Sequence, residues 1–167
     1  MQNNFKIERL DNHFCEAIIG LILPIQQIEF KVDIDLAAQP DLLDIEEYYD
    51  GSGGAFWGAI LKGELIGTIA LIAAPNHHSG TIRKMLVKKE FRGKELGVAQ
   101  TLLQNLLTFC EDNNLHEIYL GTGDILQAAC RFYERNGFKP IAMEDLPVYF
   151  PRMPVDNVFY SLHLKSV

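Results

Sequence analysis

Polar and apolar positions along this chain switch period repeatedly, from two to about 3.6 and back, and the switches outline its elements. FKIERL (5–10) alternates and predicts a first strand. Residues 12–23 carry helical spacing with Pro24 as the expected stop, and a second helical stretch, PDLLDIEEYY, is expected from Pro40. GAFWGAILKGELIGTIALIAA (54–74) reads as a hairpin of two apolar, β-prone runs folded about Lys62, Gly63 and Glu64. GTIRKMLV (80–87) is a further strand. Val98, Leu102, Leu106 and Cys110, with Leu103 and Leu107 beside them, then fall on one helical face. EIYLGTG (117–123) is a strand and DILQAACRFYERNGF (124–138) a helix. Asp124 and Gln127 are spaced as a capping box, and Asn136-Gly137 is placed for a left-handed stop. KPIAM and NVFYSLHL are the last strands, separated by the proline-studded LPVYFPRMP. No gap is long enough for a linker, so one α/β (α+β) domain is expected over residues 1–167.

Composition narrows the function classes. The chain is 48% hydrophobic and 22% charged, with no repeat or low-complexity tract. MQNNFKIERL has no signal-type apolar run, and AIIGLILPI and LIGTIALIAA fall short of the ~20 residues a membrane helix takes, so a cytoplasmic protein without membrane association is expected. Cys15, Cys110 and Cys130 are widely spaced and read as reduced core residues; with no CxxC or CxxH pairing, no metal is expected. Net charge is −7, yet Arg83, Lys84, Lys88, Lys89, Arg92 and Lys94 crowd a stretch whose one acid is Glu90. A nucleic-acid binder carries a broad basic face; an acidic chain with one basic spot suits a small polyanion instead.

That spot continues into EFRGKELGVAQ (90–100), a glycine-bearing turn running into a helix. A helix start leaves unpaired N–H groups and roughly +0.5 charge, so strand, glycine turn and helix together form a phosphate cradle. Two familiar nucleotide motifs are absent: Gly93-Lys94 is followed by Glu95 where a Walker A loop has Ser or Thr, and GSGGAF precedes a strand where GxGxxG opens a helix.

MLV at 85–87, RGKELG at 92–97 and FYERNGF at 132–138 together resemble the GNAT superfamily of acyl-CoA-dependent N-acyltransferases. Its signature is a strand ending in an apolar-x-Val step, then Arg/Gln-x-x-Gly-x-Gly/Ala opening a helix, then a helix ending Tyr-x-x-x-Gly-Phe. The resemblance covers residues 54–165, and the order of elements is similar over the whole chain. It implies a central mixed, mostly antiparallel sheet with helices on both faces. It implies acetyl-CoA as cosubstrate, its pyrophosphate on the amides of Arg92, Gly93, Lys94, Glu95, Leu96, Gly97 and Val98. It implies a pantetheine arm along Met85, Leu86 and Val87, a thioester near YLGTG, and Tyr133 as general acid. The reaction it implies is direct attack by an amine, of a small molecule or a protein, on the thioester; a homodimer is one assembly it allows. Glu95 stands where the signature usually has Gly, and is expected to face solvent. Leu126 stands where relatives often carry Asn, and Thr81 where some carry a basic Glu. Glu46 and Glu47 are the candidate bases, with a water chain leading to bulk as the alternative, and DLLDIEEYYDGSGG is expected to line the acceptor side. The alternative function on the same fold is a non-catalytic acyl-CoA sensor. His77 and His78 read as an exposed turn, and Phe56 and Trp57 as core.

Overall fold

The computed structural model describes residues 5–165. The alternating segments form strands β1 (Lys6–Arg9), β2 (Ala55–Leu61), β3 (Glu64–Ala74), β4 (Ser79–Val87), β5 (Glu117–Thr122), β6 (Lys139–Pro140) and β7 (Val158–His163). They make one sheet in the order β1-β2-β3-β4-β5-β7-β6, antiparallel throughout except for β4 beside β5. The β2–β3 hairpin turns through Lys62 and Gly63, both at positive φ, the pair of conformations a tight twisted hairpin requires.

Helices cover both faces, as period-2 strands with apolar residues on either side demand. Helices α3 (Val98–Asp112) and α4 (Gln127–Arg135) lie on one face, burying Leu102, Leu106 and Tyr133 with Trp57, Ile69 and Ile118. Helices α1 (Cys15–Pro24) and α2 (Ile45–Tyr48) lie on the other, where Ile18, Ile22, Ile45 and Tyr49 pack with Phe56 and Ala70. Phe56 and Trp57, adjacent in β2, point to opposite cores, and both are buried as expected.

Two irregularities shape the middle of the sheet. Across β3 and β4, Thr68 pairs with Leu86 but Ala70 with Arg83, so Ile69 stands opposite both Lys84 and Met85. This is a β-bulge, with Lys84 at φ 53° and its carbonyl held by the Thr68 hydroxyl at 2.7 Å. The extra residue breaks the alternation: Arg83 and Lys84 both face α1 and α2, and Met85 and Val87 face α3. Second, β4 and β5 pair only from Ser79–Glu117 to Ile82–Leu120. Beyond that, β4 continues along β3 to Val87 while β5 follows β7 to Thr122. The sheet forks.

Four expectations change. Pro24 does not stop the first helix; a π-helical turn, Ile25–Glu29, follows, closed by Phe30 N donating to Ile25 O at 3.0 Å. The wider turn accommodates a proline that has no N–H to return, and keeps Ile25 buried. PDLLDIEEYY is a 3₁₀ turn, Pro40–Leu43, and a separate short α2, because Asp44 leaves helical geometry and caps Glu47 N with its side chain. The Asp124–Gln127 capping box does not form: α4 starts at Gln127 behind Leu126, and Asp124 N is taken by the Asn157 side chain at 2.9 Å. KPIAM contributes only the two-residue β6. Gly137, at φ 89°, ends α4 as expected.

Candidate active site

The fork is bordered by the basic turn. After Val87 the chain makes a 3₁₀ turn, Lys89–Phe91, and passes through Gly93 and Gly97, whose φ of 113° and 68° suit glycine. Gly97 is the N-cap of α3, and its carbonyl receives the N–H and the hydroxyl of Thr101. The first-turn amides of a 15-residue helix thus open beside the end of β4. Lys94 and Glu95 are exposed. The Arg92 side chain does something the sequence did not suggest. Its guanidinium makes a bidentate pair with Glu29, donates to Val87 O at 2.8 Å and lies over the Phe30 ring. That pairing holds the Glu29 carboxyl below its usual range. Arg92 therefore fastens the π turn after α1 to the end of β4, while Lys89 and Lys94 stay exposed on the turn.

On the α3/α4 face, Tyr133 packs in the core that also holds Val87 and Leu120, one from each arm of the fork. Phe132 and Phe138 meet its ring edge-on, and the Tyr160 ring lies 6.3 Å away. Burial pushes its phenol well above the usual value. A neighbouring thiolate in the same dry surroundings would be destabilised for the same reason, so the two acidities move together and proton transfer from phenol to thiolate stays modestly uphill, as between the free groups. Cys130, one turn earlier, has no histidine partner among the described residues; the Tyr160 hydroxyl donates to Glu134 at 2.7 Å.

The opposite face holds a polar cluster. The bulge sends Lys84 inward, where its ammonium donates to Gln39 and lies 3.6 Å from Asp41; the Tyr49 hydroxyl also donates to Asp41 at 2.5 Å. Burial outweighs the attraction of Asp41 and brings Lys84 down to about 8. Arg83, beside it, has no carboxylate within 4.0 Å among the described residues; its guanidinium contacts Met153 Sδ at 3.3 Å. Over β5 on this face lies Asp156, from the loop before β7. Its Oδ2 sits 2.7 Å from where a Cβ on Gly121 would be, so any larger residue there would push the carboxylate aside.

The structure brings Met85, Leu86, Val87, the 92–98 turn and Tyr133 around one fork. It does not bring Glu46 or Glu47 there. Glu46 Oε2 accepts from Asn12 N at 2.9 Å while Asn12 Oδ1 accepts from Glu46 N, tying α2 to the start of α1, and the Glu47 side chain is exposed. Thr81 is buried in the β4–β5 ladder. Of the segment expected to line the acceptor side, Asp41 and Tyr49 turn inward. His77 and His78 are exposed, His77 stacked on Tyr149 at 4.2 Å. Cys110 alone among the cysteines is buried, and burial raises its thiol to about 12. Asp41, Lys84 and Asp156 carry no local motif; only the skipped alternation at RKM hints at two charges on one face.

The acetyltransferase (GNAT) family profile matches residues 22–138. An N-acetylaspartate synthetase of Danio rerio is 33% identical over 132 residues, 77% of this chain and 46% of the relative. The chain thus spans about half the length of that relative. A GNAT-family acetyltransferase of Staphylococcus aureus Mu50 is 40% identical with a TM-score of 0.92, covering 96% of this chain and 99% of the other. An acetyltransferase of Streptococcus agalactiae is 28% identical with a TM-score of 0.91, covering 98% and 100%.

Proposed function

Because the chain belongs to the acetyltransferase (GNAT) family, we propose that it transfers the acetyl group of acetyl-CoA to a primary amine by direct attack. The observation that carries this reading is the fork: β4 leaves β5 after Ile82, and the glycine turn and α3 start stand beside it. The backbone of Met85 and Val87 is the edge to which the pantetheine arm would pair, as an added strand pairs with a sheet edge. The amides from Arg92 to Val98 would take the pyrophosphate. The amine nitrogen bonds to the thioester carbon and the C–S bond breaks with its electron pair on sulfur. The Tyr133 hydroxyl protonates the thiolate, and the protons shed by nitrogen restore the phenol and pass to solvent.

The acceptor we propose is an amine that also carries a carboxylate. Arg83 supports this, as a cation without a carboxylate partner among the described residues on the face opposite Tyr133. The relative's name, N-acetylaspartate synthetase, points to the same class. Among the described residues no helix is long and apolar enough to cross a membrane, and the three cysteines are free; we place the activity in the cytoplasm. The assembly we propose is a homodimer, checked by light scattering.

The test is release of free thiol from acetyl-CoA with L-aspartate, glycine, L-lysine or spermidine. Amine-dependent release, fastest with L-aspartate or glycine and with KM for these raised by Arg83→Gln, is expected. Binding of acetyl-CoA without release for any amine would make the chain a sensor, and absence of binding would remove both readings.

A further inference from the structure

Direct attack requires a neutral amine, and the side chains considered from sequence leave no base at the fork: Glu46 and Glu47 are engaged elsewhere or in solvent, and Thr81 has no titratable group. We propose that Asp156 is the catalytic base that takes the proton from the acceptor ammonium. The inference rests on the acetyltransferase reading and adds the residue that reading lacks.

Four observations converge on it. The first is position. Gly121 is the first β5 residue beyond the last β4–β5 pair, and Asp156 Oδ2 lies directly over it. Asp156 is fixed there from both sides. Its own N–H donates to Met153 O at 3.0 Å, and Asn157 N donates to Thr122 O at 2.9 Å, extending the β5–β7 register by one step.

The second is facing. Ile118 and Leu120 point into the α3/α4 core, so the alternation of β5 turns Gly121 to the other face, where Arg83 and Lys84 stand. Acid and base are then on opposite sides of the sheet at the place where it opens. Tyr133 is on the side of the leaving sulfur, and Asp156 on the side from which the amine comes. An attack that forms the bond to nitrogen on one side and breaks the bond to sulfur on the other needs its two proton-transfer groups separated in this way.

The third is availability. Asp156 is half-buried, yet among the described residues none donates a hydrogen bond to its carboxylate, and no cation lies within 4.0 Å. A carboxylate placed for structure would be expected to be bonded, as Asp41 is by Tyr49.

The fourth is electrostatics. Burial raises Asp156 above the usual carboxylate range, and the cations Arg83 and Lys84 of β4 offset this only in part. Arg152, of the same loop, shares with Asp156 the lining of a cleft of about 410 Å³ open to solvent; Gly121 and Phe159, packed against it, carry no charge. The same two β4 cations disfavour an ammonium bound beside them and so lower the amine's pKa. Base and amine are brought toward one another, as general-base catalysis requires. The step is balanced. The ammonium N–H bond breaks, the proton goes to a carboxylate oxygen of Asp156, and the freed nitrogen pair bonds to the thioester carbon. The cleft then offers the proton a way to bulk water.

The test is kcat/KM against pH for wild type, Asp156→Asn and Asp156→Glu, with acetyl-CoA and the fastest of L-aspartate, glycine, L-lysine and spermidine. Acetyl-CoA-induced thermal stabilisation verifies that each variant is folded. A wild type that takes up the ammonium form shows a plateau between the Asp156 and amine pKa values. Asp156→Asn, obliged to capture amine already neutral in solution, falls by ~10²–10⁴-fold near pH 7. Its residual rate climbs tenfold per pH unit, and Asp156→Glu recovers part of the plateau. A folded Asp156→Asn that keeps the plateau, at any height, overturns the proposal while leaving the acetyltransferase intact. Absence of thiol release by wild type with every amine overturns the acetyltransferase and this proposal together.

Discussion

Tyr133 carries the clearest consequence at the scale of single residues. Its ring is buried among Phe132, Phe138 and Tyr160, and no hydrogen bond to its hydroxyl exists among the described residues, so Tyr133→Phe removes the proposed proton donor and leaves the packing. The expected outcome is a fall in kcat of ~10²–10⁴-fold, with the acetyl-CoA dissociation constant nearly unchanged, because the lost interaction belongs to the transition state. Steady-state thiol release and calorimetric binding check it together; unchanged turnover would leave Tyr133 a wall of the slot. Tyr133 was legible because it sits in a motif of fixed spacing. Asp156 was not, since it lies in an irregular loop and acquires its place only through the β5–β7 register and the missing Cβ of Gly121. Arg83 and Lys84 were visible as charges. Their shared face was no more than hinted at by the skipped alternation, because a bulge is a property of two strands.

The elements proposed to hold the cofactor were the most readable. The period of residues 98–110 marked α3, and Gly93 and Gly97 marked its turn, whose positive φ values follow from glycine having no Cβ. At Gly97 the space around a new side chain is nearly open, the nearest atom being Lys94 O at 3.9 Å, so backbone strain decides the outcome there. Gly97→Val is expected to cost ~1–3 kcal/mol of local strain, relieved by rearranging the turn. It should therefore lose the ~2.7 kcal/mol of stabilisation that acetyl-CoA gives wild type at a hundredfold its dissociation constant, while far-UV circular dichroism stays native. A wild-type thermal shift in this variant would place the phosphates elsewhere. The π turn after Pro24 was hidden, because proline signals interruption without saying whether the chain stops or widens. Its purpose becomes visible in the pairing of Glu29 with Arg92, which anchors the turn to the first helix.

At the scale of the molecule, one sheet serves two different environments. The α3/α4 face is a continuous apolar core in which the Tyr133 and Tyr160 rings are buried beside the fork. The α1/α2 face carries Asp41, Lys84, Arg83 and Asp156 around the same opening. The parallel β4–β5 pair, short and released after four residues, is what joins them. Alternating periods in the sequence were enough to place strands and helices; where two neighbouring strands part company depends on twist and bulge, and carries no local signal. Acetyl-CoA is expected to enter this opening, and a crystal structure of the protein with acetyl-CoA tests that most directly. The expected result has the pantetheine amides bonded to the backbone of Met85 and Val87, the pyrophosphate on the 92–98 turn, and the sulfur on the Tyr133 side of the sheet with the acetyl group toward Asp156. Acetyl-CoA bound away from the β4–β5 opening, or with its thioester remote from both Tyr133 and Asp156, would contradict it.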